Sequence, residues 1–232
     1  MFLFYDPMYL ILVALPAGLL ALWAQIKVKM AYAKAQRMAA PLSGAAAARH
    51  ILDSAGLNHV DVELTQGWLS DHYDPRHKVL RLSPEVYQSR SLAAVGIAAH
   101  EAGHAIQDAR RYAPLAIRNA AVPMASLGSG LSWILLVLGI AMSSLQLVLA
   151  GIILFAFVVA FQVVNLPVEF NASTRAKEQL AELSIVTPEE GLVVKEVLDA
   201  AAMTYVAATI SSILTLLYFL LRSGILGGGN RD

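Results

Sequence analysis

The sequence predicts a mainly α-helical integral membrane protein with four transmembrane helices and a small α+β domain outside the bilayer. Of its 232 residues, 57% are hydrophobic and only 15% are charged, whereas about a quarter of a soluble domain is usually charged. Four stretches approach the ~20 apolar residues that cross a bilayer: 7–26, 120–142, 145–166 and 204–221.

Composition also excludes some classes of function. The net charge is zero, so no basic field favours nucleic acid as a partner; the lipid bilayer is the partner that the apolar stretches predict. Cysteine is absent, which rules out disulfides and thiolate metal sites. Any metal ligands are therefore His, Asp or Glu.

The polar and apolar stretches divide the chain into six segments. We expect the first span to stay as an anchor, because the residues before it lack Lys and Arg and no small-residue cleavage site follows. The segments are an N-terminal transmembrane anchor (1–26), a polar segment (27–119), a two-span transmembrane hairpin (120–166), a helical polar segment (167–203), a fourth transmembrane helix (204–222) and a flexible tail (223–232) with the run Gly227–Gly229.

The basic residues predict the orientation in the membrane. Segment 27–119 holds 12 of the 17 Lys and Arg residues and segment 167–203 holds three more. Four spans place both segments on the same side, which the positive-inside rule identifies as the cytoplasm. We therefore expect a multi-pass protein of the cell membrane with both termini outside and a short outer turn at Ser143-Ser144.

Local signals predict a small α+β arrangement in segment 27–119. Ser43 begins a helix that Gly56 can end. The alternating runs Val60–Leu69 and Lys78–Ser83 flank turn-forming residues at Asp71–Pro75, a pattern typical of a β-hairpin.

Two helices are predicted to follow this hairpin. Ser83 suits an N-cap with Pro84 at the first helical position. A long Ala-rich helix then runs from Ser91 to about Arg111, with Gly103 permitting close approach of another backbone.

The Ala-rich helix carries the motif His100-Glu101-Ala102-Gly103-His104. Histidines four residues apart lie on one helix face and can chelate one ion, most characteristically zinc. Glu101 lies about 100° around the helix, where a general base is needed to take a proton from zinc-activated water. An HExxH sequence arising by chance on a water-facing helix is the alternative.

A catalytic zinc site requires a third protein ligand. No histidine follows at short spacing, since Gln107 and Asp108 come next. Glu169 stands just after the third span, where Pro167 suits a first helical turn. From its position alone, Glu169 is either a ligand or a carboxylate that stabilises a helix N-terminus.

Four motifs together resemble the YugP-like neutral zinc membrane metallopeptidase family. They are SDHYDPRHKVLRLS (70–83), AAHEAGHAIQ (98–107), LPVEFNASTRAKEQL (166–180) and AAMTYVAA (201–208). The layout also resembles HtpX-type membrane gluzincins and the prenyl-protein peptidases, in which a two-span hairpin separates HExxH from a Glu-aromatic-x-Ala-Asp helix.

The resemblance implies a gluzincin-like catalytic domain with one Zn²⁺ per chain, held by His100, His104 and Glu169. Ser173 departs from the pattern, which has Asp at that place to orient a zinc-bound histidine. Asn171, Ser173 or another group is expected to take over that role.

A tetrahedral intermediate needs a donor near its oxyanion. The candidates are His72 and Tyr73 at the predicted hairpin tip, Arg175, and Tyr205 at the start of the fourth span. Each also has an ordinary explanation: an exposed turn, an ion pair with Glu178, or an interfacial anchor.

The predicted function is therefore that of a zinc metalloendopeptidase, a hydrolase that cleaves membrane or membrane-proximal polypeptides on the cytoplasmic face. Either Lys78–Ser83 or Leu64–Leu69 is the expected edge on which substrate adds as a strand. The main alternative is a membrane scaffold or protease adaptor with a structural metal site, which would not need Glu101. A site-2-type intramembrane protease is disfavoured, because charged residues surround the motif and spans two and three contain no Asp or Glu.

Overall fold

The structure, a computed structural model, describes residues 6–67 and 70–224. Helix α1 spans Pro7–Gln36 and contains a π-helical stretch, Leu10–Ala14. The other elements are α2 (Gly44–Ser54), β1 (Asp61–Leu64), β2 (His72–Asp74), β3 (Val79–Leu82), α3 (Pro84–Gln88), α4 (Leu92–Ala109), α5 (Ala113–Ala141), α6 (Leu145–Glu182) and α7 (Pro188–Arg222). Two predicted features lie outside the described residues: the flexible tail around Gly227–Gly229, and the end of the first predicted strand at Trp68-Leu69.

Four of the described helices, α1, α5, α6 and α7, are long and apolar enough to cross a membrane. They contain three of the four stretches identified from hydropathy in full and all but the last residue of 120–142. This confirms the mainly helical architecture with four candidate spans, and it indicates a multi-pass membrane protein.

Three of these helices continue well beyond the predicted spans. Helix α6 runs through Pro167 to Glu182, so the expectation that Pro167 begins a new helix is wrong. A proline inside a helix removes one backbone hydrogen bond. The buried stripe of Val168, Ala172, Ala176 and Leu180, spaced every four residues, provides the packing that keeps this part helical.

The chain divides into two compact units. One, the membrane-helix unit, comprises 1–23, 117–166 and 204–232. Its buried core includes Leu136, Ile152 and Phe219. A Cβ added at Gly151 would lie 2.8 Å from Leu136 Cγ, so glycine allows the close packing of α5 and α6 that is common between membrane helices.

The other, the sheet-containing unit, comprises 24–116 and 167–203. Helix α2 begins at its N-cap Ser43, and Gly56 adopts a φ of 73° just past its end, as predicted. Ile51 and Leu52 of α2 pack into one core with the small residues of α4. This core supports the three-stranded sheet.

The predicted β-hairpin is wrong in its pairing. The strand order is β1-β3-β2, with β1 parallel and β2 antiparallel to β3. The segment expected to form the tip supplies β2 instead, so His72 and Tyr73 lie in a strand. Lys78–Ser83 contains the central strand, and it cannot be the free edge expected for substrate.

The true hairpin joins β2 to β3. Asp74 Oδ1 accepts hydrogen bonds from the backbone N–H groups of Arg76 and His77, and Lys78 adopts a φ of 54°. An Asp side chain that bonds its own following backbone is a frequent turn former. The turn chemistry was therefore identified correctly from sequence, but it connects a different pair of strands.

Candidate metal centre

Helix α4 is held in the core by its small residues. Ser91 caps it, with its Oγ accepting from the Ala94 N–H at 3.2 Å. Ala98, Ala99 and Ala102 are fully buried. Their small side chains allow neighbouring elements to approach the helix that carries the two motif histidines.

Gly103 is a point of close approach between α4 and α6. A Cβ added at Gly103 would lie 2.6 Å from the carbonyl oxygen of Ala172. Because the obstructing atom is backbone, it cannot rotate away as a side chain would. This approach brings Glu169, one turn before Ala172 on α6, next to the histidines of α4.

His100, His104 and Glu169 form a group in which one ligand atom of each lies within 4.8 Å of the others. The Nε2 atoms of His100 and His104 lie 3.3 Å and 3.8 Å from Glu169 Oε2. Glu169 is only 4% exposed. The two imidazoles and the carboxylate thus converge on one partly enclosed point.

The other nitrogen of each imidazole has its own partner. His100 Nδ1 lies 3.1 Å from Ser173 Oγ, and His104 Nδ1 lies 3.0 Å from Gln107 Oε1. Hydrogen bonds of this kind fix the ring orientation of metal-binding histidines. Both rings therefore direct Nε2 towards Glu169.

Glu101 lies beside the group but is held by a different element. Its Oε2 accepts the backbone N–H of Tyr73 in β2 at 3.1 Å. Loss of surrounding water is the main cause that raises the pKa of Glu101 to about 7. The negative charges of Glu169 and Asp71 act in the same direction, while His100 and the Tyr73 N–H favour the carboxylate.

Strand β2 contacts α4 at a second residue, Asp108, which lies two helical turns after Glu101. The Tyr73 hydroxyl donates to Asp108 Oδ2 at 2.7 Å, and Lys78 Nζ lies 2.5 Å from the same oxygen. Burial, followed by this carboxylate, raises the pKa of Tyr73. Tyr73 therefore joins the strand to both Glu101 and Asp108.

The remaining predicted residues lie in different surroundings. Asn171 Oδ1 accepts from Arg175 Nε at 2.8 Å and from Gln107 Nε2 at 3.0 Å. His72 is exposed, with Nδ1 2.7 Å from the Ser70 carbonyl oxygen. Tyr205 belongs to the membrane-helix unit. The three histidines outside the site and β2 are exposed: His50, His59 and His77.

Gln107 is the residue that sequence reasoning passed over. In the sequence it is simply one of the residues that follow the motif, where no third histidine occurs. It is fully buried, and its side chain contacts His104, Val168 and Asn171. Its position three residues after His104, on the same helix face, was the signal available in the sequence.

The sequence matches known proteins over nearly its full length. Residues 9–224 match the family described as "Putative neutral zinc metallopeptidase". The chain is 44% identical over 204 residues to the protein of Bacillus subtilis (strain 168) described as "Putative membrane protease YugP". The aligned residues cover 87% of this chain and 91% of that protein. No solved structure matches significantly. The family resemblance inferred from the motifs is confirmed.

Replacing Gly103 by alanine is expected to disturb the metal centre, although Gly103 is not one of its candidate ligands. The added Cβ would force α6 away from α4 and lower the free energy of unfolding by about 1–3 kcal/mol, as overpacking does. Zinc affinity, measured by chelator competition in detergent, should fall together with the melting temperature. Gly191→Ala is the matched control, because its Cβ would meet Val186 at an ordinary 3.8 Å. Equal zinc affinity in Gly103→Ala and the control would contradict this account.

Glu169→Ala is expected to remove a ligand atom and most of the zinc bound at equilibrium. The loss of affinity should exceed the roughly 10–100-fold cost of changing a hydrogen-bond partner of a ligand. Metal analysis of purified protein measures the zinc content. Glu182→Ala, an exposed glutamate of the same helix, should keep full zinc content; equal content in both variants would remove Glu169 from the site.

Proposed function

We propose that this chain, which belongs to the neutral zinc metallopeptidase family, is a membrane-anchored endopeptidase that cleaves membrane or membrane-proximal proteins. The observation that carries the proposal is the convergence of His100, His104 and Glu169 from two facing helices. Glu101 lies beside them as the general base. A structural metal site would need His100, His104 and Glu169 but not Glu101.

The donor set fits zinc. Two imidazole nitrogens and one carboxylate are ligands that catalytic zinc sites use, and such sites keep a further position open. The orientation of both rings by Ser173 and Gln107 supports the assignment. Bound zinc would supply Lewis-acid polarisation and lower the pKa of water.

Glu101 is placed to move protons. A general base works best when its pKa lies near the working pH, and the surroundings of Glu101 bring its pKa to about 7. A bound divalent cation would act in the opposite direction and favour the carboxylate. The Tyr73 N–H fixes Oε2, so Glu101 can accept a proton from the attacking water and then deliver it to the leaving amine.

Strand β2 is the edge that we propose for substrate. It lies at the border of the sheet, and its outer side faces α4, as the bond from Tyr73 N–H to Glu101 demonstrates. An extended polypeptide added beside β2 would lie along the catalytic helix and donate to the Tyr73 carbonyl, because Glu101 already accepts from the Tyr73 N–H. Recognition through backbone hydrogen bonds tolerates many substrate sequences.

The oxyanion donor is proposed from the four sequence candidates, to which the contacts assign different tasks. The Tyr73 hydroxyl donates to Asp108, so Tyr73 supports Glu101 and the strand. Arg175 donates through Nε to Asn171, and its other N–H groups can meet negative charge. His72 on β2 is the other candidate in the sheet-containing unit, and Tyr205 belongs to the membrane-helix unit.

The membrane orientation remains the one predicted from charge. Fifteen of the 17 basic residues lie in 27–119 and 167–203, the segments that also contain the metal ligands. We therefore propose that cleavage occurs on the cytoplasmic face, with both termini outside.

Glu101→Gln tests the enzymatic role. The amide cannot accept the proton, so kcat against casein or a membrane substrate should fall roughly 10²–10⁴-fold. Zinc content should stay at one ion per chain. Glu189→Gln, an exposed glutamate on α7, is the matched control and should retain activity. A zinc-loaded Glu101→Gln protein that cleaves as fast as this control would favour the scaffold function.

N-methylated peptides test substrate binding at β2. A peptide cut from casein by the enzyme is resynthesised with single backbone N-methyl groups along its length. Loss of an N–H that pairs with the strand should raise KM about 5–10-fold, the effect of roughly 1 kcal/mol per hydrogen bond. Because neighbouring residues of a strand point their N–H groups in opposite directions, the effect should alternate along the peptide. A uniform effect would contradict strand addition.

A further inference from the structure

We infer that Gln107 is a positioning residue, which holds the His104 ring with its Nδ1–H fixed and its Nε2 lone pair directed at the metal position. The inference deepens the proposed function and rests on it. Its basis is a series of hydrogen bonds whose directions are set at both ends by groups that can only donate or only accept.

The first end of the series is Arg175. A guanidinium group has N–H donors and no acceptor. The side-chain atom of Asn171 that lies 2.8 Å from Arg175 Nε is therefore the amide oxygen. This assigns the orientation of Asn171 from its partner.

The second end is the backbone carbonyl of Val168, which can only accept. Gln107 Nε2 lies 2.8 Å from this oxygen and 3.0 Å from Asn171 Oδ1. Both neighbours are acceptors, so the Gln107 NH₂ group must face them and use its two hydrogens there. The Gln107 Oε1 is thereby turned towards His104.

His104 Nδ1, 3.0 Å from that oxygen, must then carry the proton. In a neutral imidazole only one nitrogen is protonated, so Nε2 keeps its lone pair on the side of Glu169. The neighbouring His100 is set differently. Its partner, the Ser173 hydroxyl, can donate or accept, so it restrains the ring without imposing a tautomer.

Burial makes the constraint strong. Gln107 is 0% exposed and His104 is 7% exposed. Water cannot readily replace a lost partner at such a position, and a buried polar group without one is costly. Gln107 thus stabilises one tautomer of His104 before any metal arrives.

The experiment compares zinc affinities, by chelator competition in detergent, for the full-length protein and its variants. Gln107→Met keeps the volume but offers no acceptor to Nδ1–H, so the Kd for zinc should rise roughly 10–100-fold. Gln107→Glu restores the acceptor for Nδ1–H but places its second oxygen against Val168 O and Asn171 Oδ1, so its Kd should lie between those of wild type and Gln107→Met. Gln179 lies on α6, away from the metal centre. The control variant Gln179→Met should therefore have the zinc Kd of wild type.

Asn171→Ala provides an independent arm, since it leaves Gln107 in place and removes one of the two acceptors of its NH₂ group, together with the partner of Arg175 Nε. It should weaken zinc binding less than Gln107→Met does. The double variant should bind zinc no more weakly than Gln107→Met, because Asn171 acts through Gln107. Additive losses would overturn the series. Should circular dichroism reveal that Gln107→Met does not fold, Asn171→Ala decides: zinc affinity equal to wild type would overturn the inference.

His104→Ala separates this inference from the proposed function. If wild type binds no more zinc than His104→Ala, both fail together. If His104→Ala loses zinc but Gln107→Met binds it like the Gln179→Met control, the metal centre stands and only the role of Gln107 is overturned.

Discussion

The close crossing of α4 and α6 is the constraint on which the metal centre depends. Gly103 lets the backbones approach until its Cα faces the Ala172 carbonyl. This crossing brings Glu169 to His100 and His104, and it also brings Val168, Asn171 and Ser173 within reach of the motif helix. A single missing side chain therefore sets the geometry of both the ligands and their hydrogen-bond partners.

Local rules account for the part of the site that the sequence predicts from spacing. Histidines four residues apart must share a helix face, and Glu101 must lie beside them, so these positions follow from helix geometry alone. The caps at Ser43 and Ser91 follow from side-chain chemistry that acts within three residues. The proximity of Glu169 to the histidines could not follow in this way. It depends on a contact across 65 residues. The position of Glu169 after the third span left two roles open, and only the family resemblance implied that it is a ligand.

Two predictions are wrong, the pairing of the strands and the start of a helix at Pro167, and their physical causes are of the same kind. Alternation identified strands near 61–64 and 79–82, but it does not show whether they pair in parallel or antiparallel, and they pair in parallel. Here β2 enters between them in sequence and takes the antiparallel place beside β3. Pro167 likewise has a strong local preference for a first turn. The buried faces of Val168 and Ala172 override it by continuing the helix through the proline.

The charge balance within the site explains why its hydrogen-bond partners matter. A nearly buried carboxylate is costly unless a positive charge lies close. If Gln107 makes Nδ1 the donor in His104, as we infer, the Nε2 lone pair and the Glu169 oxygen, 3.8 Å apart, both present negative potential to one point. Two such acceptors repel each other without a cation between them and are stabilised with one. The α4–α6 crossing would therefore hold the proposed ligands together against their mutual repulsion, and cation binding would offset that cost.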